Sequence, residues 1–232
     1  HLLKPAIYNG QSWRLQTAFG RSDNTTARRH LPVNGEAFLA DFTGRMRVGH
    51  DQPLYKYLHV GVPHWPMALN ADCAYIGIKS VTREIYRGQA RCGIRRVGEV
   101  LDRLRALGLY DSSLILISSD HGIALPPHGF TADRDVFGGR LSVLSGSALA
   151  LLVVKPPHAT GPVRISAAPT SIGDIPATIV DTLALKNPFP GASALKLDER
   201  AARPRSFAVY PWNSADWHAD YFPYMDVFTI DG

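Results

Sequence analysis

The residues with the clearest chemical potential follow a short apolar run near the middle of the chain. Asp120, His121 and Gly122 follow the apolar stretch 114–118 after one further residue, Ser119, and His128 comes a few residues later. A carboxylate beside an imidazole suits a borderline divalent cation such as zinc or manganese better than an all-oxygen calcium cage. Both side chains could bind one ion where the backbone turns sharply, which Gly122 permits. Alternatively, these residues form an ordinary turn, and His128 lies in a surface loop.

Another histidine is expected just beyond the end of a strand. Residues 55–62 have the aromatic and β-branched content of a strand, and Pro63 ends it because proline cannot donate to a ladder. His64 follows at once and lies in a proline-rich loop that is stiff enough to direct an imidazole into a site. Packing of the His64 ring against Trp65 is the alternative.

The elements around these residues alternate between helices and strands. The clearest helix covers about 83–107, where apolar residues recur at steps of three and four, and Gly108 supplies its end. Further elements are expected as strands at 114–118, 148–154, 206–210 and 226–230 and as a helix within 169–185. The alternation predicts a single α/β domain over 1–232, with a mostly parallel sheet and helices on both faces. Functional loops of such a sheet follow the carboxyl ends of its strands.

The two faces of the predicted helix differ in character. Its apolar positions are Tyr86, Ala90, Ile94, Val97, Leu101 and Leu104. A basic stripe on the opposite face consists of Arg83, Arg87, Arg91 and Arg95. This stripe could meet phosphate or anionic lipid, or it could be a solvated face in which Glu99 pairs with neighbouring arginines. Nucleic acid is not an expected partner, because stacking aromatic residues do not interleave with the arginines.

The composition and charge of the chain limit the classes of protein to which it could belong. The chain has 232 residues, 45% of them hydrophobic, and a net charge of +5, which suits an anionic substrate or a membrane surface but equally an ordinary basic protein. Cys73 and Cys92 form either one disulfide, in an oxidising compartment, or two buried thiols. No apolar run approaches the roughly 20 residues that span a bilayer. The sequence begins at His1 without a secretory signal, so we expect it to be part of a longer protein.

Four stretches, taken in order, resemble the alkaline phosphatase and sulfatase superfamily, in particular the sulfatase-like hydrolases and transferases of bacterial membrane proteins. They are YKYLHVGVPHWP (55–66), LYDSSLILISSDHG (109–122), GSALALLVVKPP (146–157) and APTSIGDIPATIVDTLAL (168–185). The second stretch is the most specific, since it combines a D-x-S, an apolar strand and the S/T-D-H/N-G motif. The fourth resembles the D-I-x-P-T helix of the family, with the altered order GDIPAT.

The resemblance implies an alkaline phosphatase-like fold and a metal-dependent enzyme that hydrolyses or transfers a sulfo- or phosphoester through a covalent intermediate. Asp120 and His121 match two ligands of a divalent metal ion, which could be manganese, zinc or calcium. His64 matches a histidine that contacts the transferred group or protonates the leaving oxygen. His128 and Arg140 match substrate-binding positions for the anionic ester. The implied location is periplasmic or extracytoplasmic, with or without an inner-membrane anchor on the parent protein.

The chain also departs from the family pattern. Typical sulfatases have Asp-Asn where this chain has Asp120-His121, and the histidine resembles the phosphotransfer branch, which includes lipoteichoic acid synthase-like and phosphoethanolamine transferase-like enzymes. The sequence contains no C/S-x-P-S-R-type nucleophile stretch and no early strand that ends in a further metal-binding acid. We therefore expect the nucleophile to lie outside this chain and the chain alone to be inactive. The alternative is a catalytically degenerate relative that serves as a binding or sensory domain.

Overall fold

A computed structural model describes residues 31–49, 52–125, 146–209 and 225–230. The described residues fall into two compact units, one that ends at Tyr110 and one that begins at Asp111. In these residues no helix has the length and apolar character needed to cross a membrane.

The first unit contains two helices and one β-hairpin. In chain order its elements are α1 (Leu31–Arg45), β1 (Met67–Leu69), β2 (Tyr75–Lys79) and α2 (Arg83–Ala106). The strands β1 and β2 pair antiparallel, and both helices contact β1. Its core is small: Leu39, Met67, Leu69 and Cys92 are buried there.

The second unit is built from short strands and one short helix. Its elements are β3 (Ile115–Ser118), β4 (Leu152–Lys155), a 3₁₀ helix (Ile172–Asp174), α3 (Ile175–Thr182), β5 (Arg205–Val209) and β6 (Asp226–Ile230). The strand β3 pairs antiparallel with β4, and β5 pairs antiparallel with β6. Strands therefore form close to the predicted positions, and the helix predicted within 169–185 forms as the 3₁₀ helix and α3.

The predicted fold class is wrong. The prediction was a mostly parallel, alkaline phosphatase-like α/β sheet with helices on both faces, whereas the described strands form three separate two-stranded antiparallel sheets. In the pair β3–β4, Ile115 lies opposite Lys155 and Ser118 opposite Leu152. Apolar β-branched runs suit either strand direction, so they indicate the strands but do not determine their pairing. None of the residues of β3 and β4 is fully buried, as a strand covered on both faces would require.

The strand predicted at residues 55–62 is also absent, since these residues adopt no regular structure. Tyr55 and Tyr57 are 74% and 73% exposed, so the aromatic side chains that suggested a strand face solvent. A strand is stabilised by pairing and by cross-strand contacts, which β propensity alone does not supply. The actual strand, β1, begins only at Met67, beyond His64.

The long helix α2 forms at the predicted position. Thr82 caps its start, with its side-chain oxygen accepting a hydrogen bond from the Ile85 backbone amide at 3.2 Å. Gly108 follows its end with a φ of 69°, a conformation that glycine adopts without strain. The buried face differs from the predicted one, because Ile94 is 67% exposed while Gln89 is fully buried.

The hairpin β1–β2 is attached to α2 by hydrogen bonds and by a covalent bond. The side chain of Gln89 accepts hydrogen bonds from the backbone amides of Ala68 and Leu69 and donates to the carbonyl oxygens of His64 and Pro66. A disulfide joins Cys73, in the hairpin turn, to Cys92 on α2, which confirms the disulfide alternative for the two cysteines. The hairpin turn is therefore held against the first half of α2.

Candidate functional site

Asp120 and His121 lie immediately beyond the last paired residues of β3. The Ser119 backbone amide donates to the Leu151 carbonyl oxygen at 3.1 Å, and the Leu151 amide donates to the Ser119 hydroxyl oxygen at 2.8 Å. These bonds extend the β3–β4 pairing by one residue. The chain then turns, so Asp120 and His121 are held at a defined strand end, as the sequence predicted.

Gly122 brings this loop into close backbone contact with the segment before β4. Its amide donates to the Ser147 carbonyl oxygen at 2.7 Å. A Cβ atom on Gly122 would lie 2.1 Å from the Gly146 carbonyl oxygen and 2.6 Å from that of Leu149, which is closer than such atoms can approach. Gly122 is therefore required because of close packing, in addition to the turn that the sequence suggested.

We expect Gly122→Ala to displace the loop and to lower the free energy of unfolding by about 1–3 kcal/mol, the usual cost of overpacking. The matched control is Gly98→Ala, because a Cβ on Gly98, within α2, would meet no atom within 4 Å. Urea denaturation of both variants measures the difference. Equal stability of the two variants would show that the loop does not pack as described.

The side chains of Asp120 and His121 are exposed and face each other. Their side chains are 75% and 60% accessible, and His121 Nε2 lies 3.9 Å from Asp120 Oδ2. The other carboxylate oxygen, Oδ1, accepts a hydrogen bond from the His121 backbone amide at 3.0 Å. On the imidazole, Nδ1 lies 2.5 Å from the Gly122 carbonyl oxygen. Asp120 Oδ2 and His121 Nε2 are thus the atoms of this pair that these two contacts leave available.

These contacts decide which imidazole nitrogen can bind a metal. A carbonyl oxygen only accepts hydrogen bonds, so Nδ1 of neutral His121 carries the proton and Nε2 presents its lone pair. Two atoms that bind one zinc ion at about 2.1 Å each can be at most about 4.2 Å apart. The separation of 3.9 Å between Nε2 and Asp120 Oδ2 meets this condition. At the tetrahedral angle that zinc prefers the two atoms would be about 3.4 Å apart, so a bound ion would draw them closer. The donor types, one carboxylate oxygen and one imidazole nitrogen, suit a borderline divalent cation.

Asp120 and His121 would supply two ligands of such a site. Within the described ranges, no group of three or more His, Cys, Asp or Glu residues could hold a metal ion. A catalytic zinc site has three protein ligands and one open position. Further ligands would therefore come from elsewhere.

The other predicted site residues belong either to the first unit or to the part of the chain outside the described residues. His64 belongs to the first unit, whereas Asp120 and His121 belong to the second. His64 is exposed, and its Nδ1 lies 2.5 Å from the Trp65 carbonyl oxygen. His128 and Arg140 lie outside the described residues.

In the described part of the second unit, Asp174 has a heavily hydrogen-bonded carboxylate that its residue type and position in the sequence did not reveal. Asp174 is fully buried, and its two oxygens accept two hydrogen bonds from Arg203 and one each from the Ser171 and Ala192 amides. Burial acts to raise the pKa of Asp174, but these hydrogen bonds outweigh it and hold the pKa below its usual value. The sequence feature that could have indicated a structural role for Asp174 is its spacing from Ser171, since the two residues form a capping box before α3.

No protein-family model matches the chain, and no curated protein matches it either. The function is therefore inferred from the residues and their geometry.

Proposed function

We propose that this chain supplies part of the metal site of a sulfatase-like enzyme, which hydrolyses or transfers a sulfo- or phosphoester group. The observation that carries the proposal is the pairing of Asp120 with a histidine whose Nδ1 is engaged by the Gly122 carbonyl, which leaves Nε2 free to bind a metal. The sequence resemblance of residues 109–122 to the superfamily motif supports it. The attacking nucleophile is supplied from outside this chain.

The two ligands have complementary roles in this proposal. Asp120 contributes negative charge and His121 a neutral nitrogen, so a divalent ion held there keeps a net positive charge. Held by Asp120 and His121, such an ion would supply positive charge to the nonbridging oxygens of an anionic ester. Because both side chains are exposed, an ester group can reach the site without a rearrangement of the loop.

His64 is proposed as the group that protonates the leaving oxygen. Its Nδ1 lies against the Trp65 carbonyl oxygen, so in the neutral ring the proton stays on Nδ1. Nε2 can then donate a proton only when the ring carries a proton on both nitrogens. His128 and Arg140 are proposed to bind the ester oxygens.

The proposed location is periplasmic or extracytoplasmic. The Cys73–Cys92 disulfide supports this location, since structural disulfides persist in oxidising compartments and are rare in the cytosol.

The metal site is tested by titration of the protein with Mn²⁺, with paramagnetic broadening of backbone amide signals as the measurement. We expect the broadening to centre on Asp120 and His121. Asp120→Asn and His121→Asn should each weaken Mn²⁺ binding at least about tenfold, because each removes one of two ligands. His158→Asn is the matched control: His158 is an exposed histidine of the same unit, and asparagine tolerates its positive φ of 57°.

The ester-binding role is tested in the same experiment by the addition of inorganic phosphate. We expect phosphate to perturb the amide signals around residues 119–122 only when a divalent ion is present, with Mg²⁺ or Zn²⁺ used in place of the paramagnetic ion. Broadening by Mn²⁺ that is the same in His121→Asn as in His158→Asn would contradict the site. Perturbation of the amides around residues 119–122 by phosphate in the absence of a divalent ion would contradict the ester-binding role.

The lack of a nucleophile stretch in the sequence favours a second candidate, a binding or sensory domain without turnover. Both candidates predict metal-dependent phosphate binding. They differ when the chain is assayed within its parent protein: the enzyme hydrolyses p-nitrophenyl phosphate or p-nitrophenyl sulfate, whereas the binding domain leaves both intact.

A further inference from the structure

A second concave surface lies wholly within the first unit, between the β1–β2 hairpin and the first half of α2. This arginine cleft has a volume of about 680 Å³ and is lined on the helix side by Arg83, Arg87 and Arg91. Clefts that bind small organic molecules typically have volumes of about 300–1,000 Å³. The cleft is therefore large enough for an organic ligand rather than for a simple ion alone.

The charge of the cleft is positive and partly uncompensated. Glu84 is the acidic residue among those that line it. In the described part of the chain, Arg87 and Arg91 have neither an ion pair nor a side-chain hydrogen bond, and both are exposed. The arginines farther along α2 differ, since Arg95 contacts a carboxylate of Asp72, Arg96 those of Glu36 and Glu99, and Arg105 that of Asp102.

Arg87 and Arg91 are also placed to act together. Residues four apart on a helix lie on the same face, with Cβ atoms about 6 Å apart, so both guanidinium groups can converge on one anion. Each guanidinium presents a planar fork of donors that matches phosphate oxygens. Ile76 and Ile85 line the same cleft and supply apolar surface beside the cations.

The wall opposite the arginines is held in position. The disulfide between Cys73 and Cys92 anchors the hairpin turn to α2 at the residue next to Arg91. The turn also lies against the helix at Gly88, where a Cβ would be 3.7 Å from the Ala71 backbone nitrogen, an ordinary van der Waals contact. A cleft whose walls are fixed before binding loses less conformational entropy when a ligand enters. These features distinguish the cleft from an open basic helix face.

We propose that the arginine cleft binds an organic phosphomonoester, with the phosphate held by Arg87 and Arg91 and the apolar portion against Ile76 and Ile85. The phosphate is a dianion near neutral pH, which matches two uncompensated guanidinium groups. This site uses neither Asp120 nor His121 and does not depend on the proposed metal site. The shared ligand chemistry could come from a soluble phosphomonoester or from the headgroup of a phosphomonoester lipid.

The test uses two probes, one for each source. Hexyl phosphate is titrated into the protein by calorimetry, and sedimentation is measured with phosphatidylcholine vesicles that contain or lack phosphatidic acid. Each is repeated with the double variant Arg87→Gln/Arg91→Gln. The matched control, Arg164→Gln/Arg200→Gln, removes the same charge from exposed arginines of the second unit. Circular dichroism confirms that both variants keep the helical content of the wild type.

We expect at least one probe to bind and its affinity to fall at least about tenfold in Arg87→Gln/Arg91→Gln, because two charge-assisted contacts are lost. The control should bind as the wild type does. Specific binding of hexyl phosphate without vesicle binding identifies a soluble ligand, and specific vesicle binding identifies a lipid headgroup. Failure of both probes to bind, or equal losses in the two double variants, would overturn the proposal.

Discussion

Asp174→Asn should lower the free energy of unfolding by about 3 kcal/mol, because it breaks a buried charge pair on one side only. Each oxygen of the Asp174 carboxylate accepts one hydrogen bond from Arg203 and one from a backbone amide. Asparagine must direct its NH₂ group at one of these pairs of donors in either orientation. The variant therefore loses two hydrogen bonds and leaves the charge of Arg203 without its partner.

The contribution of Asp174 should also depend on pH. Because the folded-state pKa is lowered from its ordinary value of 3.8, the carboxylate stabilises the fold fully above that value. This stabilisation is lost as the pH falls through the lowered folded-state pKa. The difference in stability between wild type and Asp174→Asn should accordingly be constant near neutral pH and should shrink below about pH 4.

Urea denaturation between pH 2 and pH 7 measures both effects. The matched control is Asp181→Asn, which removes a carboxylate at the edge of α3 that pairs with Lys196 and should have a much smaller effect. A difference between wild type and Asp174→Asn that stays unchanged to pH 2 would contradict the role of the ionised carboxylate.

Gln89→Ala should destabilise the first unit by about 3–5 kcal/mol. The side chain is fully buried, and its oxygen accepts hydrogen bonds from the Ala68 and Leu69 amides at 2.8 Å and 3.0 Å. Without it, two buried backbone donors lose their partners at about 1–3 kcal/mol each, and a cavity adds to that cost. Gln89→Leu keeps most of the side-chain volume but removes the hydrogen bonds, so it separates the cost of the lost hydrogen bonds from the cost of the cavity. We expect this variant to remain strongly destabilised.

The control for this prediction is Asp102→Ala, which removes an exposed carboxylate elsewhere on α2. An exposed ion pair contributes at most about 1 kcal/mol, so this variant should stay close to the wild type. Thermal unfolding with the disulfide intact measures all three variants. A Gln89→Leu variant as stable as the wild type would show that the hairpin does not depend on these hydrogen bonds.

The elements of this chain could be predicted better than their arrangement. The periodicity of α2 and the terminating Gly108 are local signals, and the helix forms where they place it. The partner of β3 depends on contacts with a distant segment. The apolar residues 114–118 indicated a strand but could not distinguish an antiparallel partner from a parallel one, and the fold class was therefore wrong.

The difference between local signals and contacts with distant segments also explains which face of α2 is buried. Hydrophobic spacing placed Ile94 on the core side and made no use of Gln89, yet Ile94 is largely exposed and Gln89 is fully buried. A glutamine is buried when backbone donors and acceptors are available to it, and that condition is set by the hairpin rather than by the helix. The two cysteines provided the one sequence signal that the hairpin turn meets α2 at Cys92.

The candidate site could be predicted only where its residues are adjacent in the sequence. Asp120, His121 and Gly122 are adjacent, so their proximity follows from the sequence itself, and the structure adds the engaged Nδ1 and the packed glycine. His64 depends on the arrangement of the two units, and its role remains a proposal. The sequence also singled out the arginines of α2, but the cleft appears only when the hairpin is placed against them.

The proposed metal site is tested most directly by anomalous diffraction from crystals of the protein grown with Mn²⁺. The expected result is an anomalous peak within about 2.5 Å of both Asp120 Oδ2 and His121 Nε2, with Nδ1 of His121 still bonded to the Gly122 carbonyl oxygen. A map with no peak between these two side chains, in crystals that bind Mn²⁺ elsewhere, would contradict the site and the function proposed from it.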